Sequence, residues 1–188
     1  LAERAEVVLL ADGPFRTRLE QRGVAVHVNP LGAFARIKKA GSLPSPAAVW
    51  DVIRVARWLA ARAGAFDLIY ANSQKSFVVA AMAGWMASKP VVWHLRDLLV
   101  APHFSPANIR VMIWLANHAA DRVIANSRAT TDAFTAAGGR EALVRVVHNG
   151  IDSAPFDAVT EDSARTCRAE LGIAPATPIV LHVGRFHH

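Results

Sequence analysis

Val91-Val92-Trp93-His94-Leu95-Arg96-Asp97 is the stretch on which the reading of this chain turns. Lys89-Pro90 opens it, and a proline at the mouth of a strand removes no interior ladder bond. Val91, Val92 and Trp93 suit a pleated, buried strand. Polarity then changes abruptly, with His94, Arg96 and Asp97 crowded into four positions around a single Leu95. Open parallel sheets bind their ligands beyond the carboxyl ends of the strands. A titratable cluster at the end of a buried strand is therefore a candidate site.

The same strand-then-helix pattern extends to both sides. Upstream, Glu6 to Ala11 is a strand, with Val7-Val8-Leu9-Leu10 as its apolar run, that stops at Asp12-Gly13-Pro14, and a polar helix from about Phe15 to Gln21 runs to Gly23. Val24 to Val28 is the next strand, closed by Asn29-Pro30, and residues 31–45 are less regular. Ser45-Pro46 offers a capping hydroxyl followed by proline at the first helical position, and Val49, Ile53, Ala56 and Ala60 then recur at helical spacing. Asp67 to Ala71 is a strand with Asn72-Ser73 at its exit. Lys75 to Ala87 is nearly all apolar, which predicts a helix sandwiched rather than half exposed.

Downstream, Ser105-Pro106 begins a helix that runs to about Ala120, and Arg122 to Ala125 is a strand. Asn126-Ser127 caps a helix that ends at Gly138-Gly139, and Leu143 to Val147 closes the series. Regular alternation of helices with buried apolar strands predicts an α/β fold, a parallel, doubly wound, Rossmann-like sheet.

A different regime begins at His148-Asn149-Gly150-Ile151-Asp152, where Asn-Gly marks a turn. One more helix, Glu161 to Leu171, is stopped by Gly172. Ile179 to Val183 reads as a new strand that exits into Gly184-Arg185-Phe186. The expected organisation is a Rossmann-like domain over residues 1–150, then a linker helix and the first strand of a second domain over 151–188. A start inside a strand and a stop just after one read as an interior fragment, truncated at both ends.

Composition narrows the classes. Of 188 residues, 53% are apolar and 19% charged, enough to bury a substantial core. A single cysteine, Cys167, excludes a disulfide framework and suits a reducing compartment, so the expected location is cytoplasmic. The longest apolar run, Phe77 to Ala87, is far short of the roughly 20 residues that span a bilayer. A formal charge of +6 favours anionic partners, but the cations are scattered rather than striped, which argues against nucleic acid. Arg36, Lys38 and Lys39 could touch anionic head groups on the inner membrane face, or could be a solvated loop. The five tryptophans lie mostly in apolar contexts and are expected in the core.

Five segments together resemble one family. They are Asp67-Leu-Ile-Tyr-Ala-Asn-Ser73, Pro90-Val-Val-Trp-His-Leu-Arg-Asp97, Ala120-Asp-Arg-Val-Ile-Ala-Asn-Ser127, Val144-Arg-Val-Val-His-Asn-Gly-Ile-Asp152 and Ile179-Val-Leu-His-Val-Gly-Arg185. In that order and spacing the chain resembles the GT-B-fold glycosyltransferases of family 4, which are retaining and use sugar nucleotides. The resemblance implies two facing Rossmann-like domains, with the acceptor mainly on the first and the nucleotide-sugar donor mainly on the second. It implies a nucleotide-diphosphate sugar as co-substrate, a glycan or lipid-linked acceptor, and no metal or other cofactor. The family's first strand with its glycine-rich loop, and its paired glutamates, have no counterpart here. No Asp-x-Asp occurs either.

On this resemblance His94 corresponds to the strand-end histidine beside the transferred sugar, and is the expected catalytic residue. An imidazole at a dry cleft wall can bond a sugar hydroxyl or carry a proton near neutral pH, or can simply bond a neighbouring carbonyl. Arg96 and Asp97 could orient acceptor hydroxyls or phosphate, or shape their loop. Asn72, Ser73 and Lys75 lie on the acceptor side of the family's cleft, although Asn72 or Ser73 could equally cap a helix. Asn149 and Gly150, with Asp152 nearby, match the segment between the domains, where a glycine turn lets backbone approach the cleft or serves as a hinge. Gly184 and Arg185 are the expected donor-phosphate contacts, with Arg185 stabilising the departing nucleoside diphosphate. Other readings of the same architecture are a sugar-nucleotide 2-epimerase and a non-catalytic nucleotide- or glycan-binding module.

Overall fold

The structure is a computed structural model that describes residues 5–37, 44–101 and 103–183. It divides into two compact units, Leu1–His148 and Asn149–His188.

The first unit alternates strands and helices: β1 (Glu6–Leu9), α1 (Pro14–Glu20), β2 (Ala25–Val28), α2 (Pro46–Ala63), β3 (Ile69–Ala71), α3 (Gln74–Ala87), β4 (Val91–Leu95), α4 (Pro106–Ala119), β5 (Arg122–Ala125), α5 (Arg128–Ala136) and β6 (Val144–Val146). Every strand pairing is parallel, as crossover helices require. The strands form two sheets rather than the expected one. β1 pairs with β2, and the other four run in the order β3-β4-β5-β6. Among the described residues no ladder joins β1 to β3.

Helix starts follow the chemistry of the sequence. Ser45, Ser73, Ser105 and Ser127 each accept a backbone N–H from the residue three positions on, at α2, α3, α4 and α5. Proline occupies the first turn of α2 and α4. At α3 the cap is reciprocal, because Ser76 Oγ also accepts the Ser73 N–H at 2.9 Å.

The four-stranded sheet is not buried equally on its two faces. In β4, Val91, Trp93 and Leu95 are buried while Val92 and His94 are half-buried. On the buried face Trp93 stacks flat on Phe77 of α3, with ring centroids 4.4 Å apart. α3 lies close against β4 at Gly84, where an added Cβ would meet Val91 Cγ2 at 2.4 Å. The other face carries Tyr70, Val92, His94, Ile124 and Arg145, none of them fully buried. The expectation of uniformly buried strands is corrected accordingly, since strand pleating sends alternate residues to opposite faces.

Two further expectations fail for related reasons. Of the tryptophans only Trp93 is fully buried; Trp58 is half-buried, and Trp50, Trp85 and Trp114 are 66%, 51% and 55% exposed. α3 is sandwiched over most of its length, between the sheet and its helical neighbours, but Trp85 and Met86 near its end face outward. An apolar neighbourhood in sequence does not specify the side of the helix on which an indole falls.

The second unit contains a short helix α6 (Ala154–Asp157) and α7 (Glu161–Glu170), the latter opened by a Thr160–Ser163 capping box. The strand expected over 179–183 does not form. A strand needs a ladder partner, none exists among the described residues, and Val180 and Val183 are 99% and 84% exposed. Cys167 is exposed.

Candidate functional site at the strand-end rim

Parallel pairing gathers the carboxyl ends of β3, β4, β5 and β6 on one rim. The register pairs Ala71 with Trp93, so Asn72 follows level with His94. It also pairs Leu95 with Ala125, bringing Arg96 level with Asn126. Asn126 Nδ2 donates to the Arg96 carbonyl at 3.4 Å and ties the two exits together.

His94 stands at this rim on the half-open face. Its Nδ1 lies 2.6 Å from Tyr70 Oη, one strand over, and the rings meet edge to face. Its Nε2 is buried and has no hydrogen-bond partner. Burial lowers the imidazole pKa from its ordinary value, and the positive charge of Arg96 lowers it further. The ring is thus neutral at neutral pH. Burial raises the Tyr70 pKa, with Arg96 opposing, so the phenol keeps its proton. When Tyr70 donates to Nδ1, Nε2 carries the hydrogen and is a donor without an acceptor. Buried polar atoms in folded proteins are rarely left unpaired, and a ligand oxygen is one partner that would satisfy this one.

The other expected residues are distributed as follows. Asn72 and Arg96 are exposed at the rim and Asp97 is half-buried in the loop after β4. Ser73 also lies there, but its side chain and its amide are both engaged in the α3 cap, which favours the structural role. Lys75 Nζ donates to the Ala35 carbonyl, so the lysine clamps the loop after β2 to α3. That loop is held from α2 as well. Asp51 accepts the Ala33 N–H at 2.6 Å, and Arg54 donates to Asn29 Oδ1 at 2.8 Å and to the Pro30 carbonyl at 2.6 Å. Gly32 makes the turn possible: its φ is +54°, and a Cβ there would sit 2.8 Å from Asp51 Oδ2. Arg36 is exposed in the same loop, while Lys38 and Lys39 lie outside the described residues.

Asn149 and Gly150 belong to the second unit, where both are exposed. The glycine-turn reading of Gly150 is corrected. It is not among the residues with positive φ, and a Cβ there would meet nothing within 4 Å. Asp152 Oδ1 accepts the Ala154 N–H at 3.1 Å. Gly184 and Arg185 lie outside the described residues.

Sequence reasoning missed Tyr70 and Gln74. Tyr70 alternates with the buried Ile69 and Ala71, so it had to share a face with His94 of the next strand. Gln74 opens α3 at the same rim, and its Nε2 is a second buried nitrogen without a partner. Nothing in the sequence marked that burial.

The profile of the family described as Glycosyl transferase 4-like domain matches residues 1–150. The chain belongs to that family. Solved structures resemble this glycosyl transferase 4-like chain as well. Anabaena HepE in complex with UDP superposes with a TM-score of 0.71 at 40% identity, covering 90% of this chain and 42% of that one. HepE in complex with UDP-glucose gives 0.69 at 39% identity, and HepE in complex with UDP and glucose gives 0.70 at 39%, both with that same coverage. The chain therefore spans less than half the length of these structures. No curated protein matches significantly. The Rossmann-like α/β class agrees with the GT-B architecture of these relatives.

Proposed function

We propose that the chain is the acceptor-side part of a retaining glycosyltransferase, one that moves a sugar from a nucleotide diphosphate carrier to an acceptor hydroxyl. Surface polysaccharide or glycolipid synthesis is the setting this chemistry suits. The observation that carries the reading is the His94 imidazole, neutral, fixed by Tyr70 and left with an unpaired Nε2 at the rim where parallel sheets bind ligands. The likeness to HepE structures containing UDP and UDP-glucose supports a uridine nucleotide as the donor carrier.

In this reaction the acceptor oxygen forms a bond to the anomeric carbon. The bond from that carbon to the diphosphate breaks, its electron pair leaves on the phosphate oxygen, and that departing oxygen takes up the proton the acceptor hydroxyl loses. His94 Nε2–H is suited to bonding a hydroxyl of the transferred sugar, which positions the anomeric carbon without a change of charge. Asn72 and Arg96 are the rim groups available to the acceptor. Gly184 and Arg185 keep the donor-phosphate role that the resemblance implies, with cations rather than a divalent metal meeting the diphosphate charge.

A full-length protein containing this acceptor-side chain, incubated with a panel of nucleotide sugars and candidate acceptors, should transfer sugar from one donor and release its diphosphate, whereas residues 1–188 alone should be inactive. His94→Ala should keep the fold and lower kcat by roughly a hundredfold. Nucleotide-sugar binding without any turnover, or interconversion of the nucleotide sugar with no transfer, would overturn the reading in favour of a binding module or an epimerase respectively, and unchanged turnover in His94→Ala would remove the histidine from the reaction.

A further inference from the structure

Tyr70 and His94 meet because of the ladder between β3 and β4. Tyr70 pairs in register with Val92, and His94 lies two positions further along β4, so both side chains stand on the half-open face. Their rings pack edge to face, with centroids 6.0 Å apart and planes at 68°. This holds the imidazole with Nδ1 toward the phenol and Nε2 buried. Nδ1 can close the contact in two ways, as acceptor of the Tyr70 O–H or as donor through its own N–H. The choice decides the chemistry of the far nitrogen. A neutral imidazole carries one hydrogen. A donor Nδ1 therefore leaves Nε2 as a bare lone pair able to take a proton, whereas an acceptor Nδ1 leaves an Nε2–H that can only give.

The separation selects between them. Nδ1 and Tyr70 Oη lie 2.6 Å apart, closer than the about 2.7–3.2 Å of an N–H donor and within the about 2.5–3.0 Å of an O–H donor. The phenol is therefore the donor. Among the described residues no second hydrogen bond reaches the ring, and Nε2 is without a partner.

We infer that Tyr70 is a positioning residue that holds His94 in its Nε2–H tautomer, so that the histidine serves the bound sugar as a hydrogen-bond donor and not as a base. The identity of the ligand rests on the transferase reading above; the tautomer does not. An Nε2 that already carries its hydrogen needs an oxygen with a free lone pair opposite it, which a sugar hydroxyl supplies. It has no place for the proton that the acceptor hydroxyl loses, and that proton leaves with the diphosphate oxygen. Of the two uses of a strand-end imidazole, bonding a sugar hydroxyl and carrying a proton, Tyr70 leaves the first.

Two experiments on a full-length protein containing this chain test the inference. With isotope-labelled histidine, nitrogen–proton correlation NMR of the ligand-free protein at alkaline pH should place the His94 hydrogen on Nε2, the signal being assigned by its loss in His94→Gln. A hydrogen on Nδ1 would overturn the inference, and this measurement needs no turnover. The second experiment is a double-mutant cycle read as kcat/KM. Glutamine keeps an amide N–H donor and takes up no proton. His94→Gln should therefore stay within about tenfold of the unaltered protein, well above His94→Ala. Tyr70→Phe removes only the hydroxyl from a half-exposed ring, and circular dichroism would verify that it folds. It should lower kcat/KM about three- to tenfold when His94 is present, and less than about twofold in the His94→Gln background. Equal losses in both backgrounds would make Tyr70 a structural residue, and a His94→Gln variant no better than His94→Ala would make the histidine a base. Either result would overturn the inference. Absence of transfer by the unaltered full-length protein would instead sink the transferase reading, and the NMR measurement would still decide the role of Tyr70.

Discussion

Trp93 and His94 are joined by one peptide bond and live in opposite surroundings. Trp93 is wholly buried, stacked on Phe77, and part of the continuous apolar core between sheet and helices. His94 projects from the other face beside Tyr70, half-buried, with one nitrogen bonded and the other waiting. The pleat alone produces this split. One face of the sheet can be optimised for packing because the other is released from it, and a group intended for chemistry costs little stability there. The side of the strand, more than depth in the sequence, separates scaffold from site.

The largest expected effect tests the packed side. Trp93→Ala removes a fully buried indole and leaves Phe77 facing a void, which should cost about 3–5 kcal/mol in urea denaturation. His94→Ala on the opposite face should cost under about 1 kcal/mol, as substitutions away from the core usually do. Equal losses at the two positions would break the comparison and make His94 a structural residue.

A smaller effect is expected where the rim meets a helix. Ser73 Oγ accepts the Ser76 N–H at 3.1 Å, so Ser73→Ala should cost about 1 kcal/mol through the lost α3 cap. If the residue is only a cap, sugar transfer by the folded variant should be unchanged. A fall in kcat/KM at constant stability would return Ser73 to the substrate-binding set.

Much of this architecture was legible before any coordinates. Strands and helices of the first unit were readable because each helix begins with its own cap or proline and each strand ends at a polar break. His94 was readable because a titratable residue ends an apolar run. Tyr70 was not singled out, since its role comes from a neighbouring strand, and pairing between strands is not written in either one. The tryptophans misled for a similar reason. Trp85 and Trp114 sit among apolar residues in sequence, yet the rotation of two helices turns both outward. The strand expected at 179–183 shows a further limit, because a short apolar run (Ile179, Val180, Leu181) proposes a strand but cannot supply the ladder it needs.

The subtlest consequence of the two-sided strand is a dependence on pH. Burial first and Arg96 second hold the His94 pKa below its ordinary value of 6.5. The folded protein therefore binds this proton less readily than the unfolded chain does. Well above pH 6.5 both states are neutral here, and the group contributes nothing to the pH dependence of stability. As pH falls through 6.5 the unfolded chain takes up its proton first, so stability declines, and the decline stops growing once pH passes below the folded pKa. Proton NMR titration of the His94 ring, assigned by comparison with His94→Gln, should give a midpoint below 6.5. Arg96→Gln should raise that midpoint only part of the way back, because removing the like charge leaves the larger cause, burial, in place. A midpoint at or above the ordinary value would mean that water reaches the ring freely, and the distinction between a wet rim and a sheltered one would have to be redrawn around Asn72 and Arg96.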